Sequence, residues 1–275
     1  MKKEHIKEKI VVPKYPYRSF VKEVDFLDKK RYAKELQELS KKRYDVVNFT
    51  TAVDLDEKGE IRLNDKIRVV YIVDIDNPFL NTALEMAEMN NEYGIPCTFN
   101  PRLYHFEDDK MDSIIKKISH IPNQEIGYQY EEVADAKGNI KKAREAFGNN
   151  LEYVNTKYKI KTLMAHGRTG EGYHTGALFR DRSKYNPGLW EKFGLRHKAD
   201  FYYFIKTING GIYYFNESTR FQAEEYVETL KCFKPNNIAV MLHHSSYLHK
   251  GIKDRPNRKI FKGMDGVAHI FPEKD

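Results

Sequence analysis

Cysteine is nearly absent. The 275 residues include only Cys97 and Cys232, far apart and without CxxC spacing. That excludes a disulfide framework and a zinc-finger arrangement. Each lies close to a phenylalanine, Phe99 or Phe233, so both are expected as buried free thiols in a reducing compartment. Long apolar runs are missing too, and none approaches the roughly 18 residues a membrane span needs. The amino terminus, Met1-Lys2-Lys3-Glu4-His5, is not followed by the apolar stretch of a signal peptide, so a cytoplasmic location is expected. Nor is charge of one sign concentrated. Lys and Arg number 47 against 40 Asp and Glu, a net charge of +7, and the two signs are mixed, as in Lys2-Lys3-Glu4 and Asp28-Lys29-Lys30. This balance favours acidic partners modestly at long range. Without a Lys/Arg block to track a phosphate backbone, however, nucleic acid is not expected as a partner.

Aromatic residues are plentiful, with 19 Tyr and 16 Phe, and hydrophobic residues reach 40%, enough for a substantial core. The pattern divides near residue 60. Before it, Val11-Val12-Pro13-Lys14-Tyr15-Pro16-Tyr17 is extended, because its two prolines block a helix. Arg31 to Lys42 follows as a charged helix with Tyr32, Leu36 and Leu39 on one face, and Asp54 to Gly59 reads as a turn. Residues 1–60 are therefore expected as an N-terminal extension packed on a main domain of residues 61–275.

The main domain alternates strands and helices. Ile67 to Val73 is β-branched and nearly continuously apolar, as in a strand covered on both faces. Thr82 to Tyr93 is a helix with Ala83, Met86 and Ala87 inward, ended by Gly94. Strands are expected at Cys97 to Phe99, Glu125 to Tyr128, Ile160 to Ala165 and Ile238 to Leu242, and helices at Met111 to Ser119 and Ile140 to Tyr158. Such βα alternation predicts a parallel sheet or barrel. Phe201 to Ile205 and Gly211 to Phe215 flank Asn209-Gly210, which predicts a hairpin. Its aromatic residues are read mainly as core, and Trp190 as the anchor of a helix.

Titratable residues cluster at the expected strand ends, where sites form in α/β folds: Asp74 and Asp76, Arg102, His166-Gly167, and His243-His244. Asp74 and Asp76 share a face if the strand continues. They then hold a metal or take a proton, or else one of them caps the turn at Asn77-Pro78. His243 and His244 face opposite sides, so at most one enters a cleft. No P-loop, GxGxxG or HExxH occurs.

Five motifs in order carry a resemblance: Val73-Asp74-Ile75-Asp76; Cys97-Thr98-Phe99 with Arg102; Gln124 to Glu131; Ala165-His166-Gly167; and Met241-Leu242-His243. Over residues 66 to 248 the chain resembles the polysaccharide deacetylase (NodB-homology) superfamily. It resembles most the divergent members whose motifs read HDVD, TFF, HEIGYHYE, AHG and LxH. The resemblance implies an α/β fold, a distorted, incomplete (β/α) barrel of the polysaccharide deacetylase type. It makes Asp74 the general base and His243 the general acid. Asp76, with His166 and Gln129, would bind a divalent metal, zinc by preference, while Arg102, Glu131 and Arg168 contact substrate. The implied activity is metal-assisted hydrolytic deacetylation of an acetylated sugar, in surface-glycan biosynthesis.

Departures from the motifs point to an alternative. Val73, Gln124, Gln129 and Val133 stand where the family has histidine, and an amide oxygen is a poor zinc ligand. Either the site is rebuilt with His166, Glu131 or Glu132, or the domain is catalytically inactive or repurposed and binds a glycan or protein partner.

Overall fold

The computed structural model describes residues 29–75, 80–166, 175–182, 184–208, 212–216, 230–231, 233–244, 258–262 and 268–272. Helix α1 (Lys29–Leu39) turns Tyr32, Leu36 and Leu39 inward, the i, i+4, i+7 stripe of an amphipathic helix, and it buries Glu35 and Glu38 with them. Strand β1 (Tyr44–Val47) leads into α2 (Phe49–Glu57). Here the expected turn at Asp54 to Gly59 is corrected, because the helix runs on to Glu57. Asn48 caps it, its side chain accepting from the Thr51 amide, and Phe49, Ala52 and Val53 form a buried helical face.

Strand β2 (Ile67–Asp74) is buried at every position, as its continuous apolar run predicts. Each of its fully buried Val and Ile side chains contributes about 1.5–3 kcal/mol of burial. Helix α3 (Leu80–Glu92) ends at Gly94, whose φ of +67° suits glycine. Next come β3 (Cys97–Asn100), α4 (Leu103–Glu107) and α5 (Asp109–Ser119), the last capped by Asp108. The strand expected at Glu125 to Tyr128 is two, β4 (Gln124–Ile126) and β5 (Tyr128–Tyr130), broken at Gly127. A side chain at Gly127 would overlap Asn100 Oδ1. Helices α6 (Glu132–Asp135) and α7 (Ile140–Asn155) precede β6 (Leu163–Ala165).

Beyond β6, a 3₁₀ turn (Thr175–Phe179) leads to the small hairpin β7 (Arg180–Asp181) and β8 (Lys184–Tyr185), then α8 (Pro187–Glu191). Trp190 of α8 is buried, stacked on Phe179 with ring centroids 5.0 Å apart. The expected strand at Phe201 to Ile205 is instead α9 (Phe201–Thr207). Asp200 caps it, accepting from the Tyr203 amide at 3.0 Å, and the buried residues Phe201, Phe204, Ile205 and Ile208 follow helical spacing. Strands β9 (Ile212–Asn216), β10 (Ile238–His244), β11 (Arg258–Lys262) and β12 (Ala268–Pro272) complete the described elements. The Asn209-Gly210 turn and Cys232 lie outside the described residues. Cys97 is a buried free thiol.

The strand order is β11-β12-β9-β10-β2-β3-β4, parallel except for β11. One edge of β2 is shared: Ile67 to Val70 pair with β1, and Ile72 to Asp74 pair with β3. The pair β5-β6 extends the wall, with the Gln129 amide donating to the Pro101 carbonyl at 2.9 Å. The sheet curls into a half-barrel. Helices α1, α3, α5 and α7 cover its convex face and share one buried cluster with Val69, Tyr71 and Val73. Helices α2 and α9 fill the concave side against Val70, Ile72, Val240 and Leu242.

The described part of the expected extension packs into the main domain: β1 is a strand of the main sheet and α2 part of its concave core. Among the described residues no helix is long and apolar enough to cross a membrane.

Candidate functional site

Strand alternation sorts the side chains at the carboxyl ends of β2, β3, β5 and β6. On β2, Val70 and Ile72 belong to the concave core, and Asp74 continues that face. Asp74 is 3% exposed, and its Oδ1 accepts from Asn100 Nδ2 at 3.0 Å. On β5, Tyr128 and Tyr130 pack into the convex core, so Gln129 faces inward, paired in register with the inward Met164 of β6. Glu131 and His166 lie two residues beyond these positions.

Arg102 joins them from the end of β3. Its Nε donates to Glu131 Oε1 at 3.1 Å, its Nη2 reaches both carboxylate oxygens, and its backbone bridges to Gln129. His105 holds this corner by accepting from the Arg102 amide at 2.9 Å. His166 Nδ1 lies 3.2 Å from Glu131 Oε2, and its side chain, 21% exposed, opens the group to solvent. Burial alone would raise the Glu131 carboxyl. The His166 hydrogen bond and the Arg102 charge outweigh burial and hold it at about 2. At neutral pH, Glu131 is therefore an anion already matched by a cation.

Two aromatic side chains border the group. The Arg102 guanidinium sits 5.1 Å from the Tyr104 ring centroid. Tyr202 is near enough to Asp74 that burial and the carboxylate charge together raise its phenol.

Four of the expected site residues thus come together, Arg102, Gln129, Glu131 and His166, and Asp74 ends the same concave face on the strand beside β3. Asp76 and Arg168 lie outside the described residues. His243 is corrected, because it is not with Asp74. In the parallel register of β10 on β2, His243 pairs with Val73, a convex-face residue, and His244 pairs with Asp74. His243 is fully buried beneath α1, its Nε2 2.8 Å from Glu35 Oε1. Glu35 also accepts from the Tyr71 hydroxyl at 2.7 Å, and the Tyr32 hydroxyl, 3.0 Å from that of Tyr71, donates to Asn90 Oδ1 at 2.7 Å.

Three functional groups escaped the sequence reading. Asn100, which orients Asp74, could have been found as the inward residue two after Thr98. Glu35 sits on the stripe of Tyr32, Leu36 and Leu39, where a carboxylate signals a buried partner. Glu125 lies deeper on the concave side, bonded to Thr98 at 2.7 Å, to the Thr50 amide at 3.1 Å and to Thr162 at 3.2 Å. Its carboxylate pins α2 to the floor of the half-barrel.

The expected metal set does not fit as far as it is described. Gln129 offers a neutral amide oxygen, a weak zinc donor, and His166 and Glu131 already engage each other and Arg102. Among the described residues no group of three or more His, Cys, Asp or Glu side chains is placed to hold a metal ion. No family model matches the chain, and no curated protein matches it.

Proposed function

We propose that the strand-end cleft is a carbohydrate-binding site of the polysaccharide deacetylase type, repurposed for holding an acetylated sugar. The observation that carries this reading is the gathering of Asp74, Arg102, Gln129, Glu131 and His166 on one concave face, each from a motif of the resemblance. Asp74 supplies a carboxylate acceptor for sugar hydroxyls, held by Asn100. The half-buried rings of Tyr104 and Tyr202 supply apolar faces of the kind that stack on sugars. Glu131 is spent on Arg102 and is a support for His166, not a metal ligand.

Titration calorimetry with acetylated hexosamine oligomers tests the reading. Binding is expected for the native chain, weakened about tenfold or more by Asp74→Asn or His166→Ala, the cost of one hydrogen bond to a charged group. No heat of binding with any of these sugars would sink it.

A second reading, hydrolytic deacetylation, is favoured by one observation: His244 stands in register with Asp74. In that reading Asp74 takes the proton of the attacking water and the acid comes from position 244 instead of 243. Acetate release measured with and without added zinc decides between the two. Release that disappears in Asp74→Asn and His244→Ala but survives in His243→Asn supports hydrolysis. No release under any condition leaves binding as the function.

A further inference from the structure

Basic residues that are scattered in the sequence meet at one pole of the half-barrel, where β1, β2 and β10 begin. Lys41, Lys42 and Arg43 precede β1, Lys66 precedes β2, and Lys231 and Lys234 precede β10. Four hydrogen bonds join these segments. Arg43 Nη2 donates to the carbonyls of Phe233, at 2.9 Å, and Lys231, at 3.4 Å. The Ile67 amide donates to the Arg43 carbonyl at 2.9 Å, and the Asn236 amide donates to the Lys66 carbonyl at 2.9 Å. All six cations except the half-buried Lys66 are exposed. Of the nearby acids, Glu38 is buried and bound to Lys41, and both Lys41 and Lys231 lower its carboxyl. Asp45 is paired with Arg68. Among the described residues of these segments the other acids are Asp65 and Glu60, fewer than the cations.

We propose that this basic pole docks on an anionic membrane surface, held by the headgroups without insertion. The chemistry of the patch selects that partner. It is mostly lysine, a flexible point charge, on separate turns, and it suits a diffuse layer of negative charge better than a fixed array of phosphates. Single-stranded nucleic acid needs aromatic platforms between the cations. Among the described residues the exposed large hydrophobic is Tyr153, on α7, and Tyr44 beside Arg43 is buried. Among the described residues of the patch no helix stands out to enter a duplex groove, and no large apolar side chain is exposed to enter the bilayer. The eight residues of β2 separate this pole from Asp74, about 26 Å at strand rise. Docking therefore turns the cleft away from the membrane, toward solution.

Co-sedimentation of the full chain with vesicles of phosphatidylcholine, with and without phosphatidylserine, tests the proposal. Retention is expected only with phosphatidylserine and is lost as salt rises from about 0.1 M to about 1 M. The triple variant Lys42→Glu, Lys231→Glu, Lys234→Glu, all at exposed positions, should lower partitioning roughly a hundredfold or more, from about fivefold per charge. The control variant Lys141→Glu, Lys142→Glu, at the exposed start of α7, should retain binding far better. Equal retention on phosphatidylcholine alone, an unaffected triple variant, or equal loss in the control overturns the proposal. So does retention on single-stranded RNA but not on vesicles, which assigns the pole to nucleic acid.

Discussion

Two carboxylate–histidine pairs lie on opposite faces of the half-barrel wall. On the convex face Glu35 of α1 meets His243, both fully buried, with Tyr71 donating to the same carboxylate and the Tyr32 hydroxyl 3.0 Å beyond. On the concave face Glu131 meets His166, with Arg102 as a third partner and part of the imidazole in solvent. The residue types are alike, and the surroundings divide their roles. A sealed pair can exchange neither protons nor ligands without opening the core, so it serves packing and register. The open pair, next to Asp74, has the access a binding site needs.

The sharpest way to break this contrast is Glu35→Ala. It leaves the buried His243 and Tyr71 donors without their acceptor, and breaking such a pair costs about 3–5 kcal/mol. Urea denaturation should show that loss, while sugar binding by the folded protein stays unchanged. A change in the affinity of the folded fraction would mean that the two faces are coupled.

Arg102→Met should act on both stability and cleft. The Glu131 carboxyl, held at about 2 against an ordinary 4.5, contributes stability that is present above pH 4.5 and lost as pH falls toward 2. That contribution is about 3 kcal/mol. The variant should lose most of it at neutral pH and show a flatter acid-denaturation curve between about pH 5 and about pH 2. A curve as steep as the native one would show that Arg102 does not hold Glu131.

Glu132 sharpens the comparison by being neither. It is buried between Tyr128 and Asn150, and burial pushes its carboxyl up to about 7 despite the hydrogen bonds from both. The folded state therefore binds a proton that the unfolded state gives up. Stability contributed below pH 4.5 declines as pH rises toward 7 and stays lost above it. Glu132→Gln should remove that decline and stabilise the protein at about pH 8 by roughly 1–3 kcal/mol. Thermal melts of both forms at about pH 5 and about pH 8 check the sign, and an equal Tm difference at the two pH values would contradict it.

The smallest effect is expected outside both faces. Lys29 pairs with Glu85 at 3.3 Å with its side chain 62% exposed. Lys29→Ala should change stability by less than about 0.5 kcal/mol in urea titrations, as exposed pairs do.

Much of the scaffold was legible. The run from Ile67 to Val73 required cover on both faces and has it. The strand–helix alternation gave parallel pairing, and Gly94 marked the end of its helix. Local pattern failed where two periods fit one segment. Phe201-Tyr202-Tyr203-Phe204 is rich in strand-forming aromatics, yet Asp200 in front is a helix cap, and that cue was decisive. The strand-end cluster was legible as a set of residues but not as a geometry. Whether His243 or His244 shares a face with Asp74 depends on how β10 registers on β2, which is set by packing between segments far apart in the chain. For the same reason no local signal revealed that Glu35 would be the partner of His243.

The position of β10 has a kinetic consequence. Its strand pairs with β2 across some 170 residues of intervening chain, as in His244 with Asp74. Closing so long a loop precedes any reward from the pairing, so this step is expected late in folding. Until then β2, buried at every position in the folded protein, keeps one edge open during synthesis, and a nascent chain stalled before residue 238 would present that edge as a template for aggregation.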